Sequence, residues 1–323
     1  MIKVAIAGAT GYTGGELIRL LINHPQVDLR WLFSTSLAGE SVSSIHRDLC
    51  GESSLRFTDN IGDPDILFLA LGHGLSREFL NRGLSDRCKV IDLGNDFRID
   101  SEFGDEKFVY GLSELFSNKI LKARLVANPG CFATAVELAL APLAKERILS
   151  NEIHIHAITG STGAGRSLSQ TSHFSYRAGN VSIYKPFTHQ HLAEIEMSLE
   201  SISGESVPEI NMIPVRGDFT RGILASIYTE VEGAKDVDKI RDLFADTYSD
   251  SPFVHISDEL LSLKEVVNTN KALLHIERHG KYVYITSIID NLLKGASGQA
   301  VQNMNIMFGF PQDLALKLKG TAF

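Results

Sequence analysis

The segment Gly8-Ala-Thr-Gly11-Tyr-Thr-Gly14 most narrows what this chain can fold into. It stands between Lys3–Ala7, an apolar run that reads as a strand, and Gly15–Asn23, which reads as a helix with Leu17, Leu20 and Leu21 on one face. A GxxGxxG turn from strand to helix aims backbone N–H groups at a pyrophosphate. Gly8, Thr10, Gly11, Tyr12, Thr13 and Gly14 are therefore the expected dinucleotide contacts. NAD sites usually carry an Asp or Glu at the end of the second strand, on the ribose 2′-hydroxyl. Here that place reads Phe33-Ser34-Thr35-Ser36, and small hydroxyls at Ser34 and Ser36 accept a 2′-phosphate that a carboxylate repels, so the expected cofactor is NADP(H). Asp28 would reverse this only if the strand were shorter than Leu29–Phe33.

Further buried-type strands at Ile66–Leu71, Val90–Leu93 and Leu125–Ala127 continue a βα alternation, which implies an α/β, Rossmann-type doubly wound parallel sheet. After Asn128 the grammar changes. A helix at about Ala133–Glu146 is followed by alternating strands at Glu152–Ile158 and Gly222–Glu232 and by a helix Val237–Tyr248 capped by Asp236. A hairpin is expected around His279-Gly280, and a last helix at about Gly298–Phe308 with Ser297 as N-cap. This half reads as a second α+β domain, with the boundary near residue 130.

Lys plus Arg number 31 against 39 Asp plus Glu, with no basic run, so neither a nucleic-acid surface nor an anionic membrane is an expected partner. No stretch approaches the ~20 apolar residues of a membrane span, and a cytoplasmic chain is expected. Three cysteines without CxxC spacing argue against a disulfide framework or a zinc site.

Cys131 follows Asn128-Pro129-Gly130 and immediately precedes a helical run, where the helix dipole and free N–H groups favour a thiolate. Cys50 and Cys88 have no such setting. A thiolate together with a nicotinamide suits acyl transfer to sulfur followed by hydride transfer to the thioester. The acid–base partner is expected in Thr188-His189-Gln190-His191-Leu-Ala-Glu194, where His189 and His191 share a face if the segment is extended and Glu194 is placed to orient an imidazole. Two other readings stay open there, a metal pair completed by Glu194 and solvated surface histidines. Thr159-Gly-Ser-Thr-Gly163-Ala-Gly165-Arg166 suits an anion, with a plain flexible loop as the alternative, and Arg216 and Arg221 read equally as clamps for a charged substrate or as surface residues.

With these residues stand DLGNDFR (Asp92–Arg98), YGLSE (Tyr110–Glu114), NPGCFAT (Asn128–Thr134), THQHLAEI (Thr188–Ile195), RGI (Arg221–Ile223) and DNLLKGASGQAVQNMN (Asp290–Asn305). In order and over nearly the whole chain, they resemble N-acetyl-gamma-glutamyl-phosphate reductase of the aspartate-semialdehyde dehydrogenase-like superfamily. The resemblance implies a nicotinamide-binding domain (1–130 plus about 296–323) and a catalytic and oligomerisation domain (131–295), assembled as a homodimer or homotetramer. It implies NADPH-dependent reduction of an N-acylglutamyl 5-phosphate through a thioester on Cys131, with His189 or His191 as acid and base. It adds Gly163 and Asn291 to the cofactor contacts, and Arg98, Asn128, Arg166 and Arg221 to the substrate contacts, with no metal. Phe132 stands where the family usually has tyrosine, and Arg216-Gly217 is an unusual addition before Arg221. The acyl group stays open between acetyl, succinyl and a lysine-pathway analogue. Aspartate-semialdehyde dehydrogenase is the nearest alternative enzyme, and a non-catalytic NADP-binding regulator is the alternative outside enzymes. A short-chain reductase is disfavoured because no tyrosine has lysine four residues on.

Overall fold

The computed structural model describes residues 1–231 and 237–321, so the expected strand end at Glu232 and the Asp236 cap lie outside the described residues. The chain divides into two compact units, Met1–Pro129 with Ala296–Lys317, and Gly130–Gly295 with the tail from Leu318.

In the first unit the expected strands β1 (Ile2–Ala7), β2 (Val27–Phe33), β4 (Ile66–Leu69) and β5 (Lys89–Asp92) form, with α1 (Tyr12–Leu21), α2 (Ser76–Leu80) and a short unexpected strand, β3 (Phe57–Thr58), between them. A small ribbon of β6 (Glu102–Phe103) and β7 (Glu106–Lys107) precedes β8 (Val109–Tyr110), α3 (Ser113–Lys122) and β9 (Leu125–Ala127). Seven strands form one sheet in the order β3-β2-β1-β4-β5-β9-β8, parallel throughout. Strands such as Ile-Leu-Phe-Leu of β4, buried at every position, belong in a sheet covered on both faces. The order reverses beside β1, the switch point where open α/β sheets bind ligands at the carboxyl ends of their strands.

The second unit holds α4 (Cys131–Lys145), β10 (Ile153–Thr159), α5 (Phe174–Arg177), β11 (Ser182–Ile183), α6 (His191–Ser203), β12 (Ile210–Arg216) and β13 (Ile223–Glu230). It continues with α7 (Val237–Thr247), β14 (Val254–Ser257), β15 (Ala272–His279) and β16 (Tyr282–Ile289). Its mixed sheet runs β11-β12-β10-β13-β16-β15-β14. Residues 132–144 of α4 are all buried, although Pro142 interrupts its hydrogen-bond ladder. The carbonyl that Pro142 leaves without an N–H is that of Leu138, and the Tyr248 hydroxyl donates to it at 2.6 Å. The β15–β16 hairpin turns on Gly280-Lys281, one residue later than expected. His279 pairs with Tyr282, and Gly280 has φ +62°, the residue and sign a type II′ turn needs at its first central position.

The chain then returns to the first unit through α8 (Gly298–Met307). Ser297 does not cap it as expected. A π-helical turn over Leu293–Ser297 runs into the helix, Ser297 is itself helical, and its hydroxyl donates to the Thr13 carbonyl at 2.9 Å. The buried amide of Asn303 ties α8 to the sheet, donating to the Gly111 carbonyl and accepting from Ser113. From Leu318 the tail leaves the unit assigned to it from sequence. Gly320 lies so close to Val267 of the second unit that a Cβ there would come within 3.0 Å of the carbonyl.

Candidate active site

The first unit supplies the phosphate cradle. Gly8 has φ +84°, and a Cβ on it would lie 2.2 Å from the Ala70 carbonyl oxygen; one on Gly14 would lie 2.4 Å from the Gly8 oxygen. Only glycine therefore lets β1 turn this tightly into α1. Gly11 is the N-cap of α1 without a side-chain hydrogen bond, and the first turn carries no acidic residue, which leaves the helix N-terminus open to an anion. These residues fit a dinucleotide pyrophosphate. Ser34 and Ser36 follow directly on β2, half-buried and exposed. Asp28 lies at the opposite end of β2, paired with Lys3 in the ladder and ion-paired to Arg30 at 2.6 Å, away from that carboxyl end. Two expected substrate contacts also make hydrogen bonds inside this unit. The buried Asn128 amide donates to the Ala296 carbonyl and accepts from Asn303, and the buried Arg98 donates to the carbonyls of Asn128 and Leu93.

The second unit holds the thiol. Cys131 is half-buried and is the first residue of α4, so the helix begins two residues earlier than the sequence suggests. The Gly130 N–H donates to Glu194 Oε1 at 2.7 Å, a buried carboxylate holding the turn just before the thiol, which its place after the histidines had not disclosed. Gly295 backs the same residue, close enough that a Cβ would come within 2.8 Å of the Cys131 Cβ. The other thiols fit inert roles: Cys50 is exposed, and burial pushes the Cys88 thiol up to about 12.

The histidine segment is not extended. His189 precedes α6 and His191 is its first residue, yet both rings meet Phe132, the neighbour of Cys131, at centroid distances of 5.3 and 6.2 Å. The rings lie 4.7 Å apart. The His191 backbone N–H donates to His189 Nδ1 at 3.2 Å, so the neutral His189 ring carries its proton on Nε2. Burial, and then Lys185, lower His189 to about 4. Among the described residues no group of His, Cys, Asp or Glu is arranged to hold a metal ion.

Tyr184, which sequence reasoning passed over, stands edge-on to His189 at 5.7 Å. Burial and the charge of Cys131 push its phenol up, and Arg216, whose guanidinium lies 4.7 Å over the ring, opposes them. A tyrosine five residues before His189 was the only sequence signal. Arg221 is held by the fully buried Asp290, at 3.0 Å from Nε and 3.1 Å from Nη2. Asn291 accepts from the Gly222 N–H and donates to Thr162, Gly163 lies in the 3₁₀ turn Ser161–Ala164, and Arg166 is exposed.

The chain is 49% identical to an N-acetyl-gamma-glutamyl-phosphate reductase of Christiangramia forsetii and 51% identical to one of Azobacteroides pseudotrichonymphae, in each case covering all of both chains. It belongs to the N-acetyl-gamma-glutamyl-phosphate reductase family. Residues 3–123 match the NAD binding domain of semialdehyde dehydrogenases, and residues 131–291 match their dimerisation domain. Among solved structures, the fold is similar to an aspartate semialdehyde dehydrogenase of Vibrio cholerae, with TM-score 0.74 at 17% identity over 96% of this chain and 98% of that one. It is also similar to one of Candida albicans determined with NADP, with TM-score 0.67 at 14% identity over 95% and 99%. The reductase fold is thus that of the wider superfamily, and its first unit is a nicotinamide-dinucleotide-binding domain. Among the described residues no helix is long and apolar enough to cross a membrane.

Proposed function

We propose that this reductase converts N-acetyl-L-glutamyl 5-phosphate to N-acetyl-L-glutamate 5-semialdehyde at the expense of NADPH, in arginine biosynthesis. The observation that carries the proposal is Cys131 at the first position of α4, with both histidine rings against Phe132, in a chain matched end to end by relatives of that name. The Cys131 thiolate attacks the acyl phosphate and expels phosphate, forming a thioester. NADPH, when bound, supplies the hydride that turns the thioester into a thiohemiacetal. A proton to the thiohemiacetal oxygen, and its later removal as the aldehyde leaves, falls to His191. His189 has its Nδ1 lone pair engaged and serves as a neutral donor through Nε2. Small hydroxyls at Ser34 and Ser36 favour NADP over NAD.

The assay runs in reverse. Phosphate-dependent NADPH formation with N-acetylglutamate semialdehyde supports the reading; activity with aspartate semialdehyde alone overturns it.

His189 gives a pH test. The unfolded chain protonates this ring near 6.5 and the folded one only near 4. Its contribution to stability is therefore complete above pH 6.5 and lost as pH falls from 6.5 through 4. Thermal scans should show a smaller acid loss in His189→Gln than in the wild type, and an equal loss would contradict the burial argument. His191→Asn should lower kcat by about 10²-fold or more and remove any kcat/KM limb between pH 5 and 8 that His189→Asn retains.

A homodimer or homotetramer through the second unit is part of the proposal. Leu168, Phe174, Val181, Ile183 and Phe187 are all exposed in the single chain, within a segment matched to a dimerisation domain. Light scattering should find a multiple of 35.4 kDa, and a monomer at micromolar concentration would contradict it.

A further inference from the structure

Arg177, buried, and Arg216, half-buried and hydrogen-bonded to the Tyr184 phenol, are two arginines of the second unit with no anionic partner among the described residues. Arg177 ends α5 and is 7% exposed; its Nη2 donates to the Asn180 carbonyl at 3.5 Å and the Ser182 hydroxyl at 3.3 Å. Its Nε and Nη1 are buried and meet no acceptor, and neither does the buried Nε of Arg216. Among the described residues no carboxylate forms an ion pair with either guanidinium. Guanidinium stays charged at any working pH, and burying it without a counter-charge is costly. Such an arrangement is therefore expected where a ligand brings the counter-charge.

The two side chains face one place. Ser182 of β11 stands opposite Arg216 of β12 in the antiparallel register, and directly opposed residues share a face of the sheet. The Tyr184 N–H continues that ladder to the Pro214 carbonyl, and two residues on from Ser182 its side chain returns to the same face. Arg177 meets Ser182, Arg216 covers the Tyr184 ring, Tyr184 meets His189, and His189 meets Phe132 beside the thiol. A continuous wall thus leads from Cys131 to the arginine pair.

We propose that Arg177 and Arg216 form a carboxylate subsite for the end of the substrate remote from its acyl phosphate. The subsite rests on the reading of the chain as an N-acylglutamyl-phosphate reductase. A planar guanidinium matches a carboxylate better than an ammonium does. In this substrate class the carboxylate has two sources, the α-carboxylate of the glutamyl unit and a carboxylate ending the N-acyl chain, as in a succinyl group.

Calorimetry with N-acetylglutamate and N-succinylglutamate reads the subsite without turnover, in the full-length wild type, Arg177→Gln, Arg216→Gln and Arg177→Lys. Affinity should fall at least tenfold in both glutamine variants, with NADPH affinity unchanged. Loss with both ligands assigns the α-carboxylate, and loss confined to N-succinylglutamate assigns the acyl carboxylate. Unchanged affinity overturns the subsite, as does an equal loss for inorganic phosphate, which would make it a phosphate site. Should Arg177→Gln fail to fold, Arg177→Lys carries the test, with a loss of threefold or more expected and none overturning the proposal. In the reverse assay the same variants should raise KM for the semialdehyde, leaving kcat within about threefold and KM for phosphate unchanged. Wild-type turnover decides the reading of the reaction separately: active wild type with unaltered variants would refute the subsite alone.

Discussion

Cys131→Ser is expected to lower phosphate-dependent turnover by about 10³-fold or more while leaving NADPH affinity unchanged. The size follows from the position. Cys131 is the first residue of a 15-residue helix whose N-terminal groups favour an anion, Glu194 secures the preceding Gly130, and Gly295 allows the chain to pass closely behind it. A serine hydroxyl there keeps the shape but is a far weaker acid and nucleophile than a thiol, and neither histidine restores a thioester. The glycine cradle belongs to the first unit and has no part in the substitution, so cofactor titration shows that unit intact while a thermal midpoint equal to the wild type's shows the second folded. Turnover within tenfold of the wild type would remove Cys131 from the mechanism.

Asp290→Ala should cost the second unit about 3–5 kcal/mol, read as a fall on the order of 10 °C in the thermal midpoint. The carboxylate is fully buried and accepts from five donors: Nε and Nη2 of Arg221 and the backbone N–H groups of Asn268, Leu292 and Leu293, at 2.8 to 3.1 Å. Removing it leaves the buried N–H groups of Leu292 and Leu293 and the half-buried one of Asn268 without their acceptor and strips Arg221 of its counter-charge. Asp290→Asn keeps the volume and an acceptor oxygen but not the charge, and should fall between. A loss below about 2 °C for the alanine variant would show that the hub is not what holds Arg221.

The legible parts of the fold were those written in local chemistry. Gly8 to Gly14 can serve only a tight strand-to-helix turn, fully apolar runs such as Ile66–Leu69 can sit only inside a covered sheet, and Asn-Pro-Gly placed Cys131 at the threshold of a helix, though the helix takes in the cysteine itself. The two-residue strands β8 and β11 carry too few residues to show a period. Helix α6 begins at His191 behind Gln190, which makes no cap, so nothing announced its start. The site was legible as a set of residue types rather than as contacts. Tyr184 against His189, Glu194 on Gly130 and the arginines flanking β11 all depend on which strands become neighbours. Asn128 and Arg98 show contacts the motif did not announce: hydrogen bonds to the carbonyls of Ala296, Asn128 and Leu93 inside the first unit.

The account centres on a thioester at Cys131, and one reverse-direction experiment bears on it most directly. The enzyme is mixed with N-acetylglutamate semialdehyde and NADP without phosphate, absorbance is followed in the nicotinamide band, and the quenched protein is peptide-mapped. With no phosphate to accept the acyl group, NADPH should form in a burst of about one equivalent per active chain and stop. The peptide containing Cys131 should then carry the acyl mass, and added phosphate should release it and restore turnover. Steady NADPH formation without phosphate, or an acyl group found on another residue, would contradict the account.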